Sequence, residues 1–165
     1  MSGGLILGID PGIATMGFAL VRDGGRRQLV RFGVATTAAG TPGPGRLADL
    51  HGQLATLIAE TSPDAAAVEQ LFFAGNTTTA MQVAEARGVI LLAIEQAGVP
   101  VWEYTPAQVK TSLTGYGRAT KQQVEKMVRA AVEVTGKMPD DAFDAVAIAL
   151  CHLQSHRLLP GRRLS

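Results

Sequence analysis

The apolar run Leu5-Ile6-Leu7-Gly8-Ile9 has strand length and stops abruptly at one carboxylate, Asp10, followed by a Pro11-Gly12 turn. An unbroken apolar run predicts a strand buried on both faces, hence central in its sheet. Thr15 to Val21 and Leu29 to Thr36 predict two further strands whose connection starts at Asp23-Gly24-Gly25, so this side of the sheet reads as an antiparallel meander. Residues 38–45 are a loop by composition. Leu47, Leu50, Leu54, Leu57 and Ile58 then mark one face of a helix, which Pro63-Asp64 ends. Ala65 to Glu69 is a short apolar strand that again stops at a carboxylate.

Beyond Glu69 the period becomes helical. A long helix is predicted over Thr77 to Gln96, and its segment Val89 to Ile94 is apolar at six consecutive positions, enough to cover every face. Val99 to Tyr104 predicts a fifth strand, and Thr105-Pro106 an N-cap with proline at the first helical position. Lys110 to Lys121 reads as a basic, glycine-containing loop between helices. Val124, Met127, Val128, Ala131 and Val132 have core spacing on a helix after Thr120, and Pro139-Asp140 caps a last helix from Asp141 to about His152. These elements predict an α/β fold, a five-stranded mixed sheet with helices on both faces. Residues 1–155 read as one domain. Residues 156–165 read as a short basic C-terminal tail carrying Arg157, Arg162 and Arg163, frayed or in contact with an anionic partner.

Composition narrows the class. With 165 residues, 47% apolar and 18% charged, the chain suits one globular domain rather than a disordered one. No apolar run approaches the roughly 20 residues of a membrane span, and the N-terminus lacks a signal-peptide pattern. The single cysteine, Cys151, cannot form an internal disulfide, which points to a cytoplasmic location. The net charge of +1 hides an asymmetry. Residues 1–104 carry six basic against nine acidic side chains, and residues 105–165 carry nine against five. An acidic half joined to a basic half suits a metal site beside an anionic substrate, and equally a lopsided solvated surface.

Four acids stand out. Asp10 and Glu69 end two strands that neighbour one another in a sheet of this kind. Asp141 and Asp144 lie three apart at the start of a helix and project to the same side, beside the apolar stripe Phe143, Val146, Ala147 and Leu150. Taken singly, Asp10 suits an Asx-turn, and first-turn acids suit the helix dipole. Together they would repel strongly unless cations neutralise them. An all-oxygen set with no cysteine or nearby histidine favours a hard ion, Mg²⁺ or Mn²⁺. Two such ions about 3.5–4 Å apart are the usual device for hydrolysing a phosphodiester.

Five blocks in order and at compatible spacing carry a resemblance over nearly the whole chain. They are Gly8-Ile9-Asp10-Pro11-Gly12, Glu69-Gln70 with Phe72-Phe73 and Asn76, Ala86-Arg87-Gly88, Gln108-Val109-Lys110, and Asp141-Ala142-Phe143-Asp144-Ala145. Together they resemble the RuvC family of Holliday-junction resolvases. The resemblance implies a ribonuclease H-like fold and a homodimer. It also implies paired, Mg²⁺-dependent nicks across a four-way DNA junction, leaving 5'-phosphate and 3'-hydroxyl ends in recombination and repair. It carries metal-binding catalytic roles onto Asp10, Glu69, Asp141 and Asp144, and a role beside the scissile phosphate onto Lys110 and Lys121. Partners implied are junction DNA and the branch-migration complex of RuvA and RuvB.

Phe72 and Phe73 suit the core, but their place just after Glu69 also suits stacking on an unpaired base, with Phe72 favoured by the resemblance. Asn76 joins them as a DNA-contact candidate, and Arg118 is a candidate phosphate contact. Cys151, His51, His152 and His156 read as structural or solvated. The apolar run Val89 to Ile94, with Ala80, Ala84 and Gly88 upstream, reads as the dimer surface. An actin-like ATPase also opens with a strand and an Asp-x-Gly turn, but needs two domains. The nearer alternative is another ribonuclease H-like nuclease acting on RNA or simple DNA. A junction-binding protein without catalysis is disfavoured by four intact acids.

Overall fold

Period-two alternation in β1 (Leu5–Asp10) divides its side chains between two cores. Leu5, Leu7 and Ile9 enter one cluster and Ile6 the other, so Gly8 and Asp10 share the face of Ile6. The computed structural model describes residues 4–70, 77–155 and 162–164. β2 (Thr15–Arg22) and β3 (Gln28–Thr36) form the antiparallel meander with β1. β4 (Ala65–Glu69) and β5 (Val101–Tyr104) run parallel to β1 on its other side. The sheet order is β3-β2-β1-β4-β5-β6, where β6 is the two-residue strand Arg162–Arg163.

The first core lies beneath α1 (Gly43–Thr61) and α2 (Thr77–Gln96), which bury Leu50, Leu54, Ile58, Ile90 and Ile94 against Leu7, Ile9 and Val68. The second lies beneath α3 (Pro106–Thr114), α4 (Lys121–Ala131) and α5 (Asp140–Ser155). α5 is buried at nearly every position from Ala142 to His152 and packs chiefly on β1 and β2. The mixed sheet with helices on both faces is as the sequence predicts.

Three expectations are corrected. The sheet gains a sixth strand, because part of the tail pairs with the edge of β5, with the Arg163 guanidinium 5.5 Å from the Trp102 ring centroid. The stretch from Lys110 is not loop at its start, since Lys110 to Thr114 continue α3 until Gly115 ends it in a left-handed conformation. α5 begins at Asp140 and runs on to Ser155. The six-residue apolar run of α2 is only partly exposed: Ile90, Ala93 and Ile94 are buried while Leu92 faces outward.

Both basic helices start on capping boxes, Thr105 with Gln108 and Thr120 with Gln123. In the second, the Gln123 amide donates to the Thr120 hydroxyl and the Thr120 amide donates to the Gln123 side chain. This box fixes the entry of α4 one residue before Lys121. Thr120→Ala is expected to lower stability by about 0.5–2 kcal/mol, read from denaturant unfolding.

Candidate active site

Strand register brings the first two acids together. Ile9 pairs with Val68 in parallel register, so Asp10 and Glu69 end adjacent strands, and both share the α5 face. The third and fourth acids arrive on α5, whose first turn descends onto the sheet. Glycine makes that descent possible. Gly17 pairs with Asp10 across the β1–β2 ladder, and a Cβ there would lie closer than 3.0 Å to the Asp141 carbonyl. Gly8 lies in the same way beneath the Ala145 carbonyl, one helical turn later. One carboxylate oxygen each from Asp10, Asp141 and Asp144 therefore falls within 4.8 Å of the others. Glu69 lies outside that set of three, yet its charge acts directly on Asp10.

The electrostatics follow. Burial, reinforced by Glu69, Asp144 and Asp141, pushes the Asp10 carboxyl from an ordinary 3.8 to about 8, against the opposing pull of Lys121. Glu69 is raised by burial and by Asp144, and lowered by Lys110. Asp144 is raised by burial, lowered by Lys121, and raised by Asp141 and Asp140. A half-buried group of acids in this state meets the chemistry of a hard divalent cation, with oxygen donors alone and negative charge awaiting neutralisation.

Lys110 and Lys121 reach the site. With Glu69 and Asp144 they line a 270 Å³ cleft whose remaining wall, including Val109, Val124 and Ile148, is apolar. Lys121 also donates to Asp140 at 3.0 Å, an exposed ion pair that raises the lysine pKa. Sequence reading missed Asp140 as a partner, because the two residues are 19 apart and on different helices. Arg118 is exposed between α3 and α4 and is not among the residues lining that cleft. Phe72, Phe73 and Asn76 lie outside the described residues. His152 is buried and shares a 2.8 Å hydrogen bond with the Tyr104 hydroxyl, His51 pairs with Gln96 at the surface, and Cys151 is buried.

A family model described as crossover junction endodeoxyribonuclease RuvC matches residues 6–152. The chain belongs to the RuvC family. A RuvC family protein of Chloroflexus aggregans, named crossover junction endodeoxyribonuclease, is 54% identical over 148 residues, covering 88% of this chain and 90% of that protein. One of the same name from Desulfitobacterium hafniense is 52% identical over 157 residues, covering 94% and 95%. Among solved structures, T. thermophilus RuvC in complex with Holliday junction substrate superposes with a TM-score of 0.91 at 35% identity, covering 98% of this chain and 99% of that one. The yeast mitochondrial Holliday junction resolvase Ydc2 shares the fold at a TM-score of 0.65 and 15% identity. The fold is ribonuclease H-like, as in the RuvC structure.

Because Asp10 is harder to ionise folded than unfolded, the folded state binds the extra proton between pH 3.8 and about 8. Stability of the metal-free protein is therefore expected to fall as pH rises across that window. A divalent ion should reverse the loss and release protons on binding. Thermal unfolding against pH, with and without Mg²⁺, checks this.

Proposed function

We propose that this chain resolves four-way DNA junctions by paired hydrolysis of phosphodiester bonds, in recombination and repair. The observation that carries the reading is the convergence of Asp10, Asp141 and Asp144 within 4.8 Å in a chain of the RuvC family. Asp10, Asp141 and Asp144 would hold one divalent ion, and the nearness of Glu69 to Asp10 and Asp144 supports a second. We take the ion to be Mg²⁺, with Mn²⁺ able to substitute. When bound, such ions supply an activated water and charge stabilisation at the leaving oxygen. The residues of the chain do the rest. Lys110 and Lys121 hold the phosphate at the cleft mouth, where their charge opposes that building up in the transition state. Phe72, Phe73, Asn76 and Arg118 are proposed DNA contacts, with an aromatic ring stacking on an unpaired base.

A homodimer fits both substrate and surface. α2 leaves Met81 and Leu92 65% and 51% exposed, and Gly88, on the same stripe, has open space above it. Stacking this stripe against its own copy would bury it through a twofold axis, setting one acid site over each of two equivalent strands. The branch-migration complex of RuvA and RuvB is proposed as a partner, and a cytoplasmic location as the setting, on family membership alone. No helix among the described residues is long and apolar enough to cross a membrane.

Cutting assays on a synthetic four-way junction, a duplex and an RNA–DNA hybrid test the function. Preferential, symmetric junction incision is expected, and equal cutting of hybrid or duplex would favour a different ribonuclease H-like nuclease. Asp10→Asn, Glu69→Gln and Asp141→Asn should each abolish incision while junction binding persists. Lys121→Ala should slow incision far more than it weakens binding, because many phosphates share the binding energy. Leu92→Glu should give a folded monomer by light scattering that no longer makes paired cuts.

A further inference from the structure

The backbone of α5 touches the sheet at two points where a side chain cannot be inserted. A Cβ on Gly17 would come closer than 3.0 Å to the carbonyl carbon and oxygen of Asp141 and to the Ala142 nitrogen. One on Gly8 would do the same to the Ala145 carbonyl and to Ala149. These neighbours are mostly backbone, which cannot rotate aside as a side chain can. Gly33, on the same sheet, is the contrast, since the nearest atoms a Cβ there would meet all belong to the Phe18 ring, a side chain rather than backbone. Gly17 is also singled out by register, because it pairs with Asp10. Gly17 lies on β2, hydrogen-bonded neighbour of the strand that carries Asp10, so the gap between Gly17 and the Asp141 carbonyl sets how closely the helix carrying two acids lies on the β1–β2 ladder that carries the third.

We infer that Gly17, seconded by Gly8, is a positioning residue that holds Asp141 and Asp144 at the separation from Asp10 that Mg²⁺ requires, and so sets which divalent ion the cluster takes. The inference rests on the metal-binding reading above. Mg²⁺ demands near-octahedral oxygen ligands at about 2.0–2.1 Å, whereas Ca²⁺ accepts about 2.3–2.6 Å in flexible geometry. Restoring ordinary contact around a new methyl needs the helix to rise by about 1.5 Å. Asp141 would move with its own carbonyl. The widened site then suits the larger ion better than the smaller.

The test is direct metal binding to Gly17→Ala by calorimetry, with Gly33→Ala as control and circular dichroism to establish folding. Mg²⁺ affinity should fall by about tenfold or more while Ca²⁺ affinity changes by about threefold or less. Adding Asp141→Glu to Gly17→Ala should recover Mg²⁺ binding, since the longer arm spans the wider gap. A merely structural role for the glycine would not produce either the ion-selective loss or the rescue. Unchanged Mg²⁺ binding by Gly17→Ala, or equal weakening of both ions, overturns the inference. Should Gly17→Ala not fold, Asp141→Glu on the unaltered sheet decides the matter. There the extra methylene must weaken Mg²⁺ more than Ca²⁺, and no such difference overturns the inference. Failure of the unaltered protein to bind either ion, or binding unaffected by Asp10→Asn, overturns the metal reading itself and this inference with it.

Discussion

Direct backbone packing of one helix on two strands organises both halves of this molecule. α5 lies on β1 and β2 with Gly8 and Gly17 beneath it and with Ala142, Ala145 and Ala149 on its buried side. Small residues on both surfaces bring the two backbones closer than ordinary side chains permit. The same contact closes the second core, where Val146, Ile148 and Leu150 are fully or almost fully enclosed. It also delivers the first turn of α5 to the end of β1. Site and core are therefore not separate achievements of the fold, since loosening one displaces the other.

Proximity of this kind concentrates negative charge where water is scarce. Burial is the largest cause of the raised Asp10, Glu69 and Asp144 pKa values, and mutual repulsion adds to it for each. The chain offsets part of that cost with Lys110 near Glu69, Lys121 near Asp10 and Asp144, and the positive end of the α5 dipole. What remains is a site strained toward cations. Lys121 is itself held at an exposed pair with Asp140 while lining the cleft beside Asp144.

The opposite face of the sheet is built for a different task. α1 and α2 seal the first core with ordinary aliphatic side chains, and α2 leaves an outward stripe at Met81, Gly88 and Leu92. The acids and the stripe are thus on different faces of the same sheet. At the far edge, Arg163 against Trp102 ties the chain after α5 back to β5.

Much of this was legible in the residues. Strand runs ending in Asp10 and Glu69, the extent of α2, the N-cap at Thr105, and the acid pair Asp141 and Asp144 are local patterns. Periodicity and turn chemistry determine such features within a few residues. The short tail strand and the extension of α3 through Lys110 were misjudged, because pairing along a sheet edge and helix continuation through a polar segment depend on distant partners. Sequence could name four acids but not their separations, nor that burial would raise Asp10 to about 8. It held no sign that Gly17 faces Asp141 across 124 positions, or that Lys121 meets Asp140. Register and helix seating decide those contacts, and both arise only when the whole sheet is assembled.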